Sequence, residues 1–307
     1  MGLLQDGKWV DQWYDTKSTG GKFVRQDSAY SDLIDSKRFP AVADRYHLYI
    51  SYACPWAHRT AIFRVLKGLE TIIPMTVVDP HMGENGWEVH KDGIKYLYEV
   101  YLKANPNYTG RVTVPVLWDK VEQTIVNNES SQIIRIFNSA FNHLTNNQAD
   151  YYPKELQSKI DEINPFVYDN INNGVYKAGF ATEQSIYEAE VIKLFQSLDK
   201  LEKVLNNQRY LVSNTITEAD WRLFTTLVRF DPVYVGHFKC NIRRIADYPN
   251  LSNYLRDLYQ VPGVSSTVNM QHIKTHYYTS QPTINPNGII ALGPELDYSM
   301  PHDRDRF

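Results

Sequence analysis

The sequence predicts two domains of different class, an α/β domain followed by an all-helical one. Three observations carry this reading. Strand and helix patterns between Arg45 and Thr145 run strand–helix–strand and then strand–strand–helix. Beyond Thr145 long helical periodicities dominate and no convincing strand pattern appears. A chain of 307 residues with 43% hydrophobic residues is too long for one small core and apolar enough to bury a large interior. The expected limits are an arm over 1–44, an α/β domain over 45–145, and a helical domain with a wrapping tail over 146–307.

The arm is rich in Gly, Ser, Asp and Lys, as in DTKSTGGKFVRQDS, and reads as an extended segment draped over the protein. Its Trp9, Trp13, Tyr14 and Phe23 argue for docking rather than disorder. YHLYIS then reads as a strand, TAIFRVLKGLE as a helix and IIPMTVV as a strand, a βαβ unit with a parallel pair. DPHMGENGWEVHKDG, from Asp79 to Gly93, reads as loop, and YLYEVYLKA as a short helix. RVTVPVLWD and TIVNN read as a hairpin that leads into the helix SSQIIRIFNSAF. In the second domain LQSKIDEINPFVYDNINNGVYKAG, SIYEAEVIKLFQSLDKLEKVL and EADWRLFTTLVRFDPVYVGHF are helical, and Thr217 with Asp220 supplies a start signal close to a capping box. The Pro-containing stretch from Thr283 onward reads as a loop-like wrap.

Charge excludes some functions. With 32 basic and 35 acidic residues the net charge is -3, so no overall field favours nucleic acid or an anionic membrane. No apolar run approaches the roughly 20 residues of a membrane span, and the opening MGLLQDGKWVDQWYDTK lacks the pattern of a secretory signal. The expectation is a soluble, cytoplasmic protein. Its two cysteines, Cys54 and Cys240, are expected to stay reduced. Tyrosine is unusually abundant, with 22 residues beside 12 Phe and 6 Trp, and buried phenols need hydrogen-bond partners, which a ligand can supply for some of them.

Cys54 lies where a strand gives way to a helix, in SYACPWAHRT. Pro55 suits the first helical position, where a missing N–H costs nothing. The free amides and positive dipole end of a helix start favour thiolate over thiol, the setting in which cysteine pKa values fall from about 8.5 toward roughly 3.5–7.5. A small buried hydrophobe is the alternative fate of a free cysteine, and the position favours reactivity. In Cys54-Pro55-Trp56-Ala57 alanine replaces the second cysteine of a dithiol motif, so the resolving sulfur comes from elsewhere. Cys240, in HFKC, reads as structural. A small external thiol such as glutathione therefore makes mixed-disulfide exchange the leading chemistry.

Two further cues stand beside the thiol. Val114-Pro115, at a strand start in a domain of this order, suggests a cis peptide that exposes the Val114 backbone to a ligand, although only about 5–6% of X-Pro bonds are cis. NNES, Asn127 to Ser130, sits at a strand–helix junction where Ser130 either caps the helix or joins its amides in holding an anion. Other residues take plainer readings. His58 is a structural or supporting group, His272 and His276 are two helix-surface histidines without a third metal ligand, Arg243 and Arg244 are solvated or paired, and Trp118 and Phe137 belong to the core.

SYACPWAHRT, MGENGW, GRVTVPVLWD, NNES, NNGVYKAGFAT, LVRFDPVYVGHFKC and TINPNGII, together with the arm WYDTKSTGGKF, resemble the glutathionyl-hydroquinone reductases, the xi class of glutathione transferases. The likeness covers nearly the whole chain. It implies a thioredoxin-like N-terminal domain with a cis-proline, a glutathione-transferase-type helical C-terminal domain, and a homodimer. By the resemblance Cys54 is the nucleophile, and Trp87, Arg111, Val112, Thr113, Val114, Glu129 and Ser130 bind glutathione. Tyr176 is a proton donor or acceptor to the aromatic substrate, and Tyr234 and Tyr277 hydrogen-bond the sulfur. The implied partners are glutathione, as co-substrate rather than permanent cofactor, and glutathionylated aromatic hydroquinones, with no metal, nucleic acid or membrane. Two rival functions share the fold: an omega-like thioltransferase or dehydroascorbate reductase, and a non-catalytic interaction module.

Overall fold

The structure, a computed structural model, describes residues 2–35 and 37–307; Met1 and Ser36, both within the expected arm, lie outside the described residues. The chain divides into two compact units. The first comprises 1–13, 25–149 and 267–280, and the second 14–24, 150–266 and 281–307. In chain order the first unit holds β1 (Leu3–Gln5), β2 (Lys8–Val10), β3 (Tyr46–Ile50), α1 (Pro55–Leu66), β4 (Met75–Val77), β5 (Glu88–Lys91), β6 (Ile94–Tyr96), α2 (Leu97–Ala104), β7 (Gly110–Arg111), β8 (Val116–Asp119), β9 (Thr124–Asn127), α3 (Ser130–Ser139) and α4 (Asn142–Thr145). The second holds α5 (Gln157–Val167), α6 (Gly174–Gly179), α7 (Gln184–Leu205), α8 (Glu218–Arg229) and α9 (Pro249–Tyr259). The last helix, α10 (Met270–Thr279), belongs to the first unit.

The centre of the first unit is a four-stranded sheet ordered β4-β3-β8-β9. β3 and β4 pair parallel across the α1 crossover, as a βαβ unit requires, and β8 and β9 follow as an antiparallel hairpin. Every residue of β3 is buried, so both sheet faces are covered. Arg45 and Asp119 close one end of β3–β8 through a buried ion pair at 2.6 Å.

Two hairpins fall where the sequence reading expected arm and loop. β1 and β2 are joined by Asp6-Gly7, both at positive φ (47° and 75°), and β1 also pairs with β7. β5 and β6, inside the segment read as loop, are joined by Asp92-Gly93 at 53° and 76°. Both are two-residue turns whose left-handed backbone matches the twist of antiparallel strands. The expected arm is divided between the two units rather than standing apart. Trp9 stacks on Tyr98 at 5.2 Å and donates from Nε1 to the carbonyl of Glu84 at 2.9 Å. Gly86, at φ 76°, makes this possible, because a Cβ there would sit 2.7 Å from the Trp9 ring.

The second boundary difference is α10, expected in the helical domain. His276 on α10 donates from Nδ1 to the carbonyl of Pro80 at 3.0 Å. The Met82 amide donates to Ser280 Oγ at 2.9 Å. His276 is consequently buried, which corrects the reading of two helix-surface histidines.

In the second unit Thr217 and Asp220 form the expected capping box at the start of α8. α5 and α8 do not end in ordinary turns: Tyr168–Asn172 and Phe230–Tyr234 widen into π-helical turns, the latter carrying Pro232. Proline cannot donate to the helix ladder, and a widened turn accommodates that gap. The tail is fastened by Arg304, fully buried, which donates to the carbonyls of Gln208 and Arg209. Arg243 and Arg244 pair with Asp199 and Asp247, and Trp118 and Phe137 are buried, each as expected.

Arm residues 14–24 pack within the second unit, with Phe23 5.4 Å from Phe180 and Tyr14 4.7 Å from Phe23. Phe238 lies against the backbone of Gly179, where an added Cβ would come within 2.3 Å of its ring. Gly179→Ala is therefore expected to destabilise the protein by about 1–3 kcal/mol, as overpacked cores do. A urea unfolding midpoint equal to that of the wild type would contradict this packing.

Candidate functional site

Cys54 is the N-cap of α1, at the end of the short link from β3, with φ -77° and ψ 120°. Pro55 occupies the first turn as expected, and no acidic residue stands in that turn. The sulfur accepts the Ala57 N–H at 3.5 Å, which is a side-chain cap on the helix. Its thiol donates toward the Val114 carbonyl at 3.6 Å. Val114-Pro115 is cis, as the sequence context suggested. Loss of the thiol proton exchanges the carbonyl contact for a stronger one with the amide, and the dipole of a twelve-residue helix adds to it. Cys54 is half-buried, so the sulfur is partly accessible.

Cys240 is its opposite. The residue is fully buried in the second unit, 3.9 Å from the Val175 carbonyl, and burial pushes its thiol far up. It acts as packing.

The other residues expected at the site fall into the two units. In the first, Trp87 is buried and stacks on His276 at 4.8 Å, while His276 meets Tyr277 edge-on at 5.4 Å. Tyr277 is itself buried. Arg111 lines the arm: its guanidinium donates to the carbonyls of Gln12 at 2.5 Å and Trp13 at 3.1 Å. Val112 is buried, and Thr113 is held by the Tyr101 hydroxyl, which donates to its carbonyl at 2.9 Å and accepts its N–H at 3.2 Å. Tyr101 also accepts from Asn128 Nδ2 at 3.1 Å, and so ties the strand before Pro115 to the NNES junction.

At that junction the cap is Glu129, not Ser130. Glu129 has extended backbone, φ -101° and ψ 111°, and its carboxylate accepts the Ser131 N–H at 2.9 Å. Ser130 is the first helical residue, buried, with Oγ accepting from Arg59 at 3.4 Å. A carboxylate suits this place because it meets the positive end of α3. Ser28 of the arm donates to the second Glu129 oxygen at 3.1 Å.

In the second unit Tyr176, on α6, sits in an aromatic cluster: Phe238 at 5.3 Å, Phe180 at 5.9 Å, Tyr234 at 6.1 Å and Phe23 at 6.2 Å. Tyr234 ends the π-helical turn after α8 and stacks on Phe238 at 5.4 Å. Two buried phenols on one apolar wall are suited to an aromatic ligand.

The sequence reading passed over Arg25 and Thr267. Arg25, from the arm, covers the face of Trp56 at 3.8 Å, two residues from Cys54. Thr267 holds the fully buried His58 at 2.8 Å through Nε2, which gives His58 the supporting place expected of it. Neither pairing carries a local signal, because each joins distant parts of the chain. Among the described residues no group of three or more His, Cys, Asp or Glu is arranged to hold a metal ion. No helix described is long and apolar enough to cross a membrane.

Comparison with known proteins agrees with this architecture. Residues 53–140 match the family described as glutathione S-transferase, N-terminal domain, and residues 184–257 its C-terminal domain. The glutathionyl-hydroquinone reductase YqjG of Escherichia coli (strain K12) is 56% identical, with 99% of each chain covered. The glutathione-bound structure of YqjG from Escherichia coli K-12 superposes with a TM-score of 0.90 at 52% identity, covering 100% of both chains. The glutathionyl-hydroquinone reductase PcpF of Sphingobium chlorophenolicum is 55% identical over 96% of each chain. A xi-class transferase from Natrialba magadii gives a TM-score of 0.94 at 48% identity, covering 100% of this chain and 98% of that one. By full-length likeness to such relatives, this chain belongs to the glutathione transferase family and, within it, to the glutathionyl-hydroquinone reductases of the xi class.

Proposed function

We propose that this protein uses glutathione to strip the glutathionyl group from aromatic hydroquinones, with Cys54 as nucleophile. The observation that carries the reading is the single thiol at the start of α1, capped on the Ala57 amide beside the cis Val114-Pro115 bond, with Ala57 where a second cysteine of the motif would stand. A thiolate so placed attacks the sulfur of a thioether-linked hydroquinone. The carbon–sulfur bond breaks, its electron pair and a proton go to the aromatic carbon, and a Cys54–glutathione disulfide forms. Tyr176 supplies that proton. A second glutathione thiolate then attacks the mixed disulfide, giving oxidised glutathione and the Cys54 thiolate. Both reducing electrons come from the two sulfurs that end as disulfide.

In this proposal Trp87, the Arg111–Val114 strand, Glu129 and Ser130 hold glutathione. Strand backbone before a cis-proline offers peptide-like hydrogen bonding, and the start of α3 offers a place for a ligand's charged end. The side chain of Arg111 serves indirectly, since arm carbonyls occupy it. Tyr234 and Tyr277 donate hydrogen bonds to sulfur, which favours the thiolate. The working form is proposed to be a homodimer in the glutathione-rich cytoplasm.

Three outcomes follow. Iodoacetamide near neutral pH is expected to label Cys54 in the native protein and Cys240 only in denaturant, because burial keeps the second thiol protonated; comparable labelling of both in the native state would contradict the contrast. With glutathionyl-menadiol and glutathione, Cys54→Ser and Cys54→Ala are expected to release free hydroquinone at least about a thousandfold more slowly than wild type. Equal release by all three would overturn the assignment. Tyr176→Phe is expected to slow aromatic release by about a hundredfold while leaving simple disulfide exchange little changed, an asymmetry that also separates a hydroquinone reductase from a general thioltransferase. Equal slowing of both would remove Tyr176 from proton transfer.

A further inference from the structure

We infer that the first unit carries a second ligand site, a cavity of about 170 Å³ between the β3–β8 sheet and α2, which takes a single-ring aromatic carboxylate. Strand alternation places His47 and Tyr49 on one face of β3, and the register sets Trp118 directly opposite His47. These three rings line the cavity with Ile94 and Val100. An apolar cavity of about 150 Å³ holds benzene, so the space suits one ring and not a fused system.

The polar groups define the rest of the ligand. Tyr49 is only 7% exposed, and its hydroxyl, which makes no hydrogen bond among the described residues, is not enclosed but opens to solvent at the cavity. A hydroxyl so placed is open to donate a charge-assisted hydrogen bond to a carboxylate that enters the cavity. Lys103 and Lys120 also line the cavity, with Asp92 as the acid of the lining. Lys120 is bound to Asp44 at 2.8 Å, whereas Lys103 has no carboxylate partner among the described residues. Lys91 stands near enough, with Lys120, to act on His47. Burial, then these ammonium groups, push His47 down to about 4, so the ring is neutral at physiological pH and is fixed by its 2.7 Å contact with Thr76. The local balance is positive, a flat aromatic wall lies beneath it, and the Tyr49 hydroxyl stands beside it, open to a ligand. A carboxylate meets Lys103 and Tyr49 while its ring covers Trp118, a combination that a neutral ring fulfils only in part.

The test uses the full chain and 4-hydroxybenzoate as probe, followed by calorimetry at pH 7.5 and by tryptophan fluorescence. Saturable binding at one site per chain is expected, unchanged by saturating glutathione, with quenching that disappears in Trp118→Phe. Lys103→Met and Tyr49→Phe are each expected to weaken binding about tenfold, the size of one charge-assisted hydrogen bond, while melting at the wild-type temperature. 4-Hydroxybenzyl alcohol, which lacks the charge, is expected to bind at least about tenfold more weakly. The inference is overturned by failure of the probe to saturate at millimolar concentration, by displacement with glutathione, or by equal affinity in the two folded variants. Equal binding of the alcohol overturns the carboxylate preference. None of these outcomes depends on Cys54, so the site and the proposed reaction stand or fall separately.

Discussion

The constraint on which the first unit depends is that one sulfur must serve as a helix cap. Cys54 closes the amide ladder of α1 at Ala57, and so its position is set by the backbone on both sides of it. Strand β3 delivers the chain to this point, α1 carries it away, and the carbonyl before the cis-proline faces the sulfur from the adjacent hairpin. A cap of this kind interacts more strongly with helix amides when it is charged than when it is neutral. Stability of the helix start and ease of deprotonating the thiol are thus the same interaction measured in two protonation states.

The first residues of the chain make an unusual number of contacts within each unit. Trp9 packs on α2 through Tyr98, Arg111 is engaged by the carbonyls of Gln12 and Trp13, Arg25 covers Trp56, and Ser28 donates to the Glu129 cap. Phe23 meanwhile joins the aromatic cluster about Tyr176. A segment of low hydrophobic content is ordered here by a few large rings and ion–carbonyl contacts, each of which offsets the conformational entropy of its neighbours.

Much of this was legible in the sequence because the signals were local. The βαβ and ββα order, the thiol at a helix start with proline after it, the Thr217–Asp220 capping box and the core positions of Trp118 and Phe137 all follow from periodicity or from spacing within one turn. The two unexpected hairpins also had a local signal: Asp-Gly stands in LLQDGKWV and again in HKDGIK, flanked by strand-forming residues. Composition outweighed it, since glycine and charge made both segments read as loop. The Glu129 cap was hidden for a different reason, because serine is the commoner cap by propensity and the carboxylate won through the charge it brings to α3. The burial of His276 and the partner of His58 had no local signal at all, as both depend on residues about two hundred positions away.

That long separation has a bearing on how the molecule is made. The first unit contains α10, whose sequence emerges only after the whole of α5 to α9 has been synthesised. On the ribosome the sheet and its first helices therefore wait with the Trp87 flank uncovered, and the nascent chain reaches its finished state late, in a step of high contact order. A chain ending at Thr279 would keep Thr267 for His58 yet lack the Ser280 hydroxyl that accepts the Met82 amide, so this unit can be sealed only once Ser280 has been made.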